Sequence, residues 1–194
     1  MRILVVSDEE SRALQNKIRA GKLPKIDLIV SCGDLHPSYL EELADQVNAL
    51  LVYVNGNHTY GPMTCGECID GKVIRYQGIR IAGLGGALSY RPGENLYTQK
   101  EMRRRARRLI PQILYRRGLD VLVTHAPARG WGDLEDLPHQ GFDAFCDLLQ
   151  RFTPDLMLHG HIHMAYGRIS RQLEHPCGTR IINACGYQII EIEK

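Results

Sequence analysis

Short apolar runs alternate with amphipathic stretches over the first third of the chain. The runs at 2–6, 26–32 and 51–54 are rich in Ile, Leu and Val and predict buried strands. The stretches at about 11–20 and 38–49 carry apolar residues at helical spacing and predict two helices. This β-α-β-α-β order predicts a parallel sheet with right-handed crossover connections.

After residue 70 the predicted elements become shorter. Strands at 72–76 and 79–84 flank Gln77-Gly78, which is a hairpin signal. The remaining elements are strands at 120–124 and 155–158, a helix at 142–151, and antiparallel strands between 167 and 193. We find no repeat, linker or low-complexity segment, so residues 1–194 are expected to form a single α/β domain.

A long helix is predicted at 98–117. Thr98 and Glu101 form a capping box at its start, Gly118 ends it, and Pro111 is expected to kink or split it. Its arginines are Arg103, Arg104, Arg105, Arg107, Arg108, Arg116 and Arg117. We interpret them as a solvated helix face. The alternative is an electropositive wall that attracts phosphate-bearing substrates or nucleic acid.

The composition narrows the class of protein. The net charge of +2 favours no polyanionic partner, and no apolar run approaches the roughly 20 residues of a membrane span. The first residues lack the apolar length of a signal peptide, so we expect a cytoplasmic protein without membrane contact. Six cysteines do not make a disulfide scaffold here, and the lone Cys65-x-x-Cys68 does not predict structural zinc. The other four are expected to be small buried residues: Cys32, Cys146, Cys177 and Cys185.

Asp34 directly follows the buried strand at 26–32 and Gly33. A carboxylate at the carboxyl end of a buried strand lies where open α/β sheets bind ligands. Asp34 could instead cap the next helix. Ser38 and Glu41 form a capping box that can start this helix without it, which leaves Asp34 free for ligand binding.

Five predicted strands end in residues that can bind a ligand. These residues are Asp8, Asp34, Asn57 with His58, His125, and His161 with His163. Strands of one parallel sheet bring their carboxyl ends to the same edge, so these side chains could converge. Oxygen and imidazole donors together suit Mn, Fe or Zn better than calcium. Two cations about 3.5–4 Å apart, sharing a carboxylate, would form a clamp for in-line displacement.

The order of these motifs resembles that of the calcineurin-like metallophosphoesterases. The motifs are Asp8, Gly33-Asp34, Gly56-Asn57-His58, Thr124-His125 and Gly160-His161-Ile162-His163. The resemblance implies a two-sheet β-sandwich flanked by helices, in four layers. It also implies that Asp8 and His163 bind one metal, that Asn57, His125 and His161 bind the other, and that Asp34 bridges both.

The chain departs from the family pattern at three positions. Glu10 stands where the family has a ligand histidine, and its carboxylate could still bind a hard cation. Pro37 replaces an acid that helps to orient the catalytic histidine, so His58 lacks that partner. Thr59 replaces an acid that commonly follows the third motif.

The resemblance implies a metal-dependent phosphoesterase with a dinuclear site. The expected cofactors are two divalent ions, with manganese first and iron, zinc or nickel as alternatives. Hydroxide shared by the two ions would attack phosphorus, and His58 would act as general acid or charge stabiliser. A small phosphoester is the expected substrate, with phosphodiesters preferred to monoesters because the sequence shows no dedicated phosphate-binding arginine motif. The first alternative is a non-catalytic scaffold of the same fold. The second is a nuclease, which we rank below an esterase that acts on small molecules.

Overall fold

The computed structural model describes residues 1–58, 60–167 and 169–193, so the departure at Thr59 lies outside the described residues. The strands β1–β13 are Arg2–Ser7, Leu28–Ser31, Leu50–Tyr53, Glu67–Cys68, Val73–Tyr76, Ile79–Leu84, Ala87–Leu88, Leu96–Tyr97, Val121–Thr124, Leu156–His159, Gln172–Glu174, Arg180–Asn183 and Gly186–Glu191. The helices α1–α4 are Arg12–Arg19, Pro37–Val47, Gln99–Tyr115 and Asp143–Phe152. Short 3-10 turns cover Leu137–His139 and Met164–Tyr166.

Two large sheets form the centre of the fold. The first has the strand order β13-β1-β2-β3-β4, and the second has the order β11-β12-β10-β9-β6-β5. In the first sheet, β1, β2 and β3 are parallel, and β13 pairs antiparallel with β1. In the second sheet, β6, β9, β10 and β12 are parallel. Strands β7 and β8 form a separate small pair.

The buried apolar residues form three hydrophobic cores, one between each pair of neighbouring layers, as the predicted four-layer sandwich requires. Ile3 and Val30 of the first sheet pack with Leu158 of the second, so one core lies between the sheets. Leu14 of α1 and Leu43 of α2 belong to a core on the outer face of the first sheet. A third core joins α3 and α4 to the outer face of the second sheet. The two-sheet α/β prediction is therefore confirmed.

Helix α2 does not begin where its sequence predicts. The helix starts at Pro37, and His36 caps it, because Nδ1 of His36 accepts a hydrogen bond of 3.3 Å from the backbone N–H of Ser38. Proline is favoured at the first helical position, where its missing N–H costs nothing. The predicted capping box of Ser38 and Glu41 is therefore wrong, although Asp34 is still not the cap.

Helix α3 keeps its predicted capping box of Thr98 and Glu101 and runs unbroken through Pro111, so proline does not split it. One of its arginines is not part of a solvated face. Arg105 binds both carboxylate oxygens of Asp70, at 2.6 and 2.7 Å, and donates to the carbonyl of Gly85 at 2.7 Å. The other six arginines of this group are exposed.

Among the described residues, no helix has both the length and the apolar character that crossing a membrane requires.

Candidate metal centre

The ligand-bearing strand ends come from both sheets, not from one as the strand pattern predicted. Asp8 and Asp34 follow β1 and β2 of the first sheet, and Asn57 follows β3. His125 and His161 follow β9 and β10 of the second sheet. Because both sheets direct the carboxyl ends of their parallel strands to the same side, the two sets of side chains meet at one edge of the sandwich.

Asp8, Asp34 and His125 form the centre of the site. Their candidate ligand atoms all lie within 4.8 Å of one another. Nε2 of His125 is 3.3 Å from Oδ2 of Asp34 and 2.9 Å from Oδ1 of Asn57. Nδ1 of His125 donates to the carbonyl of Cys32 at 2.8 Å. This bond orients the ring so that Nε2 is the nitrogen available to a metal ion.

The backbone is unusual at three of the predicted ligands. Asp8, Asp34 and His161 have positive φ angles of 62°, 55° and 67°, in the left-handed region. This conformation costs a non-glycine residue about 1 kcal/mol. Such residues cluster at functional sites, where the surrounding structure holds them in place. Here the positive φ turns each side chain at the point where its strand ends.

Two glycines leave room for the carboxylates. A Cβ on Gly56 would lie 1.8 Å from Oδ1 of Asp34, and a Cβ on Gly160 would lie 2.4 Å from Oδ2 of Asp8. Backbone N–H groups then bind the same carboxylates. His58 donates to Asp34 at 2.9 Å, and His161 donates to both oxygens of Asp8 at 3.0 and 2.9 Å. The glycines therefore allow the close backbone approach that holds Asp8 and Asp34 in position.

The charges of the site suit a cation. Burial opposes a proton on His125, but Asp34 and Asp8 outweigh burial and raise the pKa of His125 to about 9. Burial raises the pKa of Asp8, whereas His125 and His58 outweigh burial at Asp34 and lower its pKa. The protonated imidazole thus lies between carboxylates that would otherwise repel each other. A divalent metal ion would supply that positive charge in place of the proton, because it displaces the proton from Nε2 when it binds.

The remaining predicted residues of this centre lie at its sides. His161 is buried, with its ring centre 4.9 Å from that of His125, and its Nε2 donates to the carbonyl of Pro138 at 2.8 Å. Burial and the charge of His125 lower the pKa of His161 to about 3. His58 is half exposed, and its Nε2 lies 3.9 Å from Oδ2 of Asp34.

Glu10 and His163 lie apart from this cluster. Glu10 is exposed and joins no group of candidate metal ligands in the part of the chain that the structure describes. Nδ1 of His163 is 3.0 Å from Oε1 of Glu9, and these two residues form a second cluster with Cys185. The ligand roles of Glu10 and His163 stay predictions.

The sequence did not predict a place near the site for Glu9, Cys185 or His139. His139 had no assigned role, yet its ring centre lies 5.2 Å from that of His161, and its Nδ1 is 2.6 Å from Asp136. No local motif marks these residues. Their positions depend on the antiparallel pairing of β13 with β1 and on the 3-10 turn that contains His139, neither of which the apolar pattern shows.

Comparisons with known proteins agree with this fold. A family model for the calcineurin-like phosphoesterase superfamily domain matches residues 1–186. The chain therefore belongs to the calcineurin-like phosphoesterase superfamily, whose members typically bind divalent metal ions. No curated protein matches the chain in sequence.

Solved structures with a similar fold include two that cover most of this chain. The protein TT1561 of Thermus thermophilus has a TM-score of 0.63 at 14% identity, over 95% of this chain and 88% of that protein. A Vps29 single mutant from Entamoeba histolytica has a TM-score of 0.50 at 15% identity, over 99% of this chain and 86% of that protein. These identities are low, so the two likenesses extend to the fold alone.

Proposed function

We propose that this protein is a metal-dependent phosphoesterase. The observation that carries the proposal is the cluster of Asp8, Asp34 and His125, whose ligand atoms lie within 4.8 Å of one another at the edge where both sheets end. A structural role for these residues does not explain the positive φ angles or the two glycines that admit the carboxylates. Both features support a site shaped to hold a cation.

The residues present fit two divalent ions, with manganese as the first expectation and iron, zinc or nickel as alternatives. Asp34 would bridge the ions, Asn57, His125 and His161 would hold one, and Asp8 and His163 would hold the other. Ions bound there would polarise the phosphoryl oxygens and lower the pKa of an attacking water molecule. The protein itself supplies the positions of these donors before substrate arrives.

His58 is the proposed general acid or charge stabiliser for the leaving oxygen. Its imidazole is half exposed, and its Nε2 lies 3.9 Å from Asp34, so it borders the cluster and remains open to a substrate. Pro37 occupies the first turn of α2 and offers no carboxylate to His58. Asp34 is therefore the acidic neighbour that can orient His58 in this chain.

The proposed substrate is a small phosphoester, with phosphodiesters preferred to monoesters. A cavity of about 70 Å³ lies beside the cluster and is lined by residues that include Asp34, His58 and Tyr60. A space of this size accommodates a phosphoryl group, and the rest of a substrate would extend into solvent. Nucleic acid is a less favoured substrate, because no aromatic residue is interleaved with the arginines between residues 103 and 108.

Hydrolysis of bis-p-nitrophenyl phosphate and p-nitrophenyl phosphate tests the proposal. Metal-stripped protein would be titrated with Mn, Zn, Ni and Mg, alongside Asp34→Asn and the control Asp45→Asn on the exposed face of α2. We expect metal-dependent turnover that Asp34→Asn abolishes and Asp45→Asn preserves. Bound metal without turnover on either substrate would contradict the proposal and favour a non-catalytic scaffold.

A further inference from the structure

A second group of candidate metal ligands lies beside the first. Glu9, His163 and Cys185 place one ligand atom each within 4.8 Å of the others. The imidazole Nδ1 of His163 and the carboxylate of Glu9 are 3.0 Å apart. The group contains one oxygen, one nitrogen and one sulfur donor, whereas the central cluster has oxygen and nitrogen donors only.

The fold brings this group together from three parts of the chain, and His163 lies between β10 and the 3-10 turn Met164–Tyr166. Glu9 follows Asp8 at the end of β1, and its N–H donates to the carbonyl of Ser7 at 2.6 Å. Cys185 precedes β13, and an isolated backbone bridge pairs it with Ser7. The backbone N–H of Cys185 donates to Oδ1 of Asn183 at 2.9 Å, and its carbonyl accepts from Arg171 at 2.8 Å. These bonds hold the backbone of Cys185 in position.

The thiol faces polar groups although it is buried. Its Sγ lies within 4.8 Å of a carboxylate oxygen of Glu9 and of an imidazole nitrogen of His163. Cys185 is 1% exposed, whereas Glu9 is exposed and His163 is half-buried. A groove of about 630 Å³ includes Glu9 and Cys185 in its lining, so a metal ion has a path to the donors.

We propose that Glu9, His163 and Cys185 form a zinc site with a thiolate ligand. Cysteine sulfur, histidine nitrogen and glutamate oxygen are the donors that zinc takes in proteins, and the hard ions magnesium and manganese do not select sulfur. When the ion binds, the Sγ–H bond of Cys185 breaks, the sulfur binds the ion, and the proton goes to solvent. A water molecule can complete four-coordination.

This inference deepens the proposed function and rests on it in one respect, since it assigns ligands to the second cation. Glu9 directly follows Asp8, and Cys185 pairs with Ser7 through an isolated backbone bridge, so the two groups lie side by side. The expected consequence is one site with oxygen and nitrogen donors and a neighbouring site that also uses sulfur. Glu10 is then not needed as a ligand.

Cobalt substitution tests the zinc site without relying on activity. Cobalt bound to a thiolate gives a charge-transfer band in the near ultraviolet. We expect this band in the wild-type protein loaded with Co²⁺ and in the control Cys146→Ser, whose thiol lies on α4. We expect Cys185→Ser to lose the band and one equivalent of bound zinc.

Each outcome separates this proposal from the proposed function. No charge-transfer band in the wild-type protein, or a band that survives Cys185→Ser, overturns the zinc site even if hydrolysis is observed. A band without hydrolysis leaves the zinc site standing and contradicts the phosphoesterase proposal. Because Cys185→Ser could also impair folding, Glu9→Gln provides a second test at an exposed position. We expect it to weaken cobalt binding at least about tenfold, and unchanged affinity would contradict the proposal.

Discussion

Gly56→Ala should disrupt the metal centre without removing any ligand. The added Cβ would lie 1.8 Å from Oδ1 of Asp34, whereas an ordinary contact begins at 3.4 Å. The carboxylate, or the backbone that carries residue 56, must therefore shift by roughly 1.6 Å. Metal–ligand distances tolerate changes of only about 0.2 Å, so Asp34 would lose its position as a bridging ligand.

The size of the effect follows from this shift. Misplacement by about 1 Å can cost roughly 100-fold in rate, so we expect turnover of bis-p-nitrophenyl phosphate to fall at least that far. Overpacking of a filled site costs about 1–3 kcal/mol, and each kcal/mol lowers Tm by about 2–4 °C in a chain of this length. The variant should therefore remain folded at 25 °C while metal binding and activity fail.

Metal content, turnover and thermal unfolding would be measured on the same preparations. Gly93→Ala is the matched control, because its Cβ would contact only the flexible side chain of Leu96, starting at 3.0 Å. It should keep both metal binding and activity. If Gly56→Ala binds metal with wild-type stoichiometry and retains its turnover, the close approach of Gly56 to Asp34 does not define the site, and the reasoning is refuted.

Three further predictions concern charge. Without metal, the pKa of His125 is about 9 in the folded protein and about 6.5 in the unfolded chain. Urea titrations in EDTA should therefore show that the free energy of unfolding falls as the pH rises from about 6.5 to about 9. The pKa of His161 is about 3 in the folded protein, so below a pH of about 6.5 only the unfolded chain protonates this histidine. The free energy of unfolding should therefore also fall as the pH drops below about 6.5. A free energy of unfolding that stays constant from about pH 4 to 6.5 would contradict this. Arg105→Met should lower the free energy of unfolding by about 3 kcal/mol, because it breaks the ion pair with Asp70. The exposed control Arg107→Met should lower it by under about 0.5 kcal/mol. Equal losses in urea titrations would contradict the anchoring role of Arg105.

Much of the fold was predictable because buried parallel strands are nearly continuous apolar runs. The first strand, predicted at 2–6, is Arg2–Ser7, and the hairpin at Gln77-Gly78 joins β5 and β6 as expected. Both hairpin residues have positive φ, as such a tight turn requires. The capping box of α3 was also readable, since it depends only on residues three apart.

The rest depends on contacts between distant parts of the chain. The strand ends meet from two sheets because β9 and β10 pair with each other and not with β1. Cys185 reaches Glu9 only through the pairing of β13 with β1. Arg105 is different, because its position could have been inferred. Arg105 lies three residues after Met102 and directly before Ala106, and both of these residues are buried. Arg105 is therefore at the edge of the buried helix face, whereas Arg104 faces solvent.

The two-sheet origin of the metal centre has a consequence for the lifetime of the protein. Asp34 of the first sheet and His161 of the second are far apart in sequence, and a cation held from both sheets would join them as a cross-link joins the ends of a long loop. An ion that binds only the folded chain stabilises it by about 2.7 kcal/mol when its concentration is 100 times Kd. The supply of metal would then govern resistance to proteolysis as well as turnover.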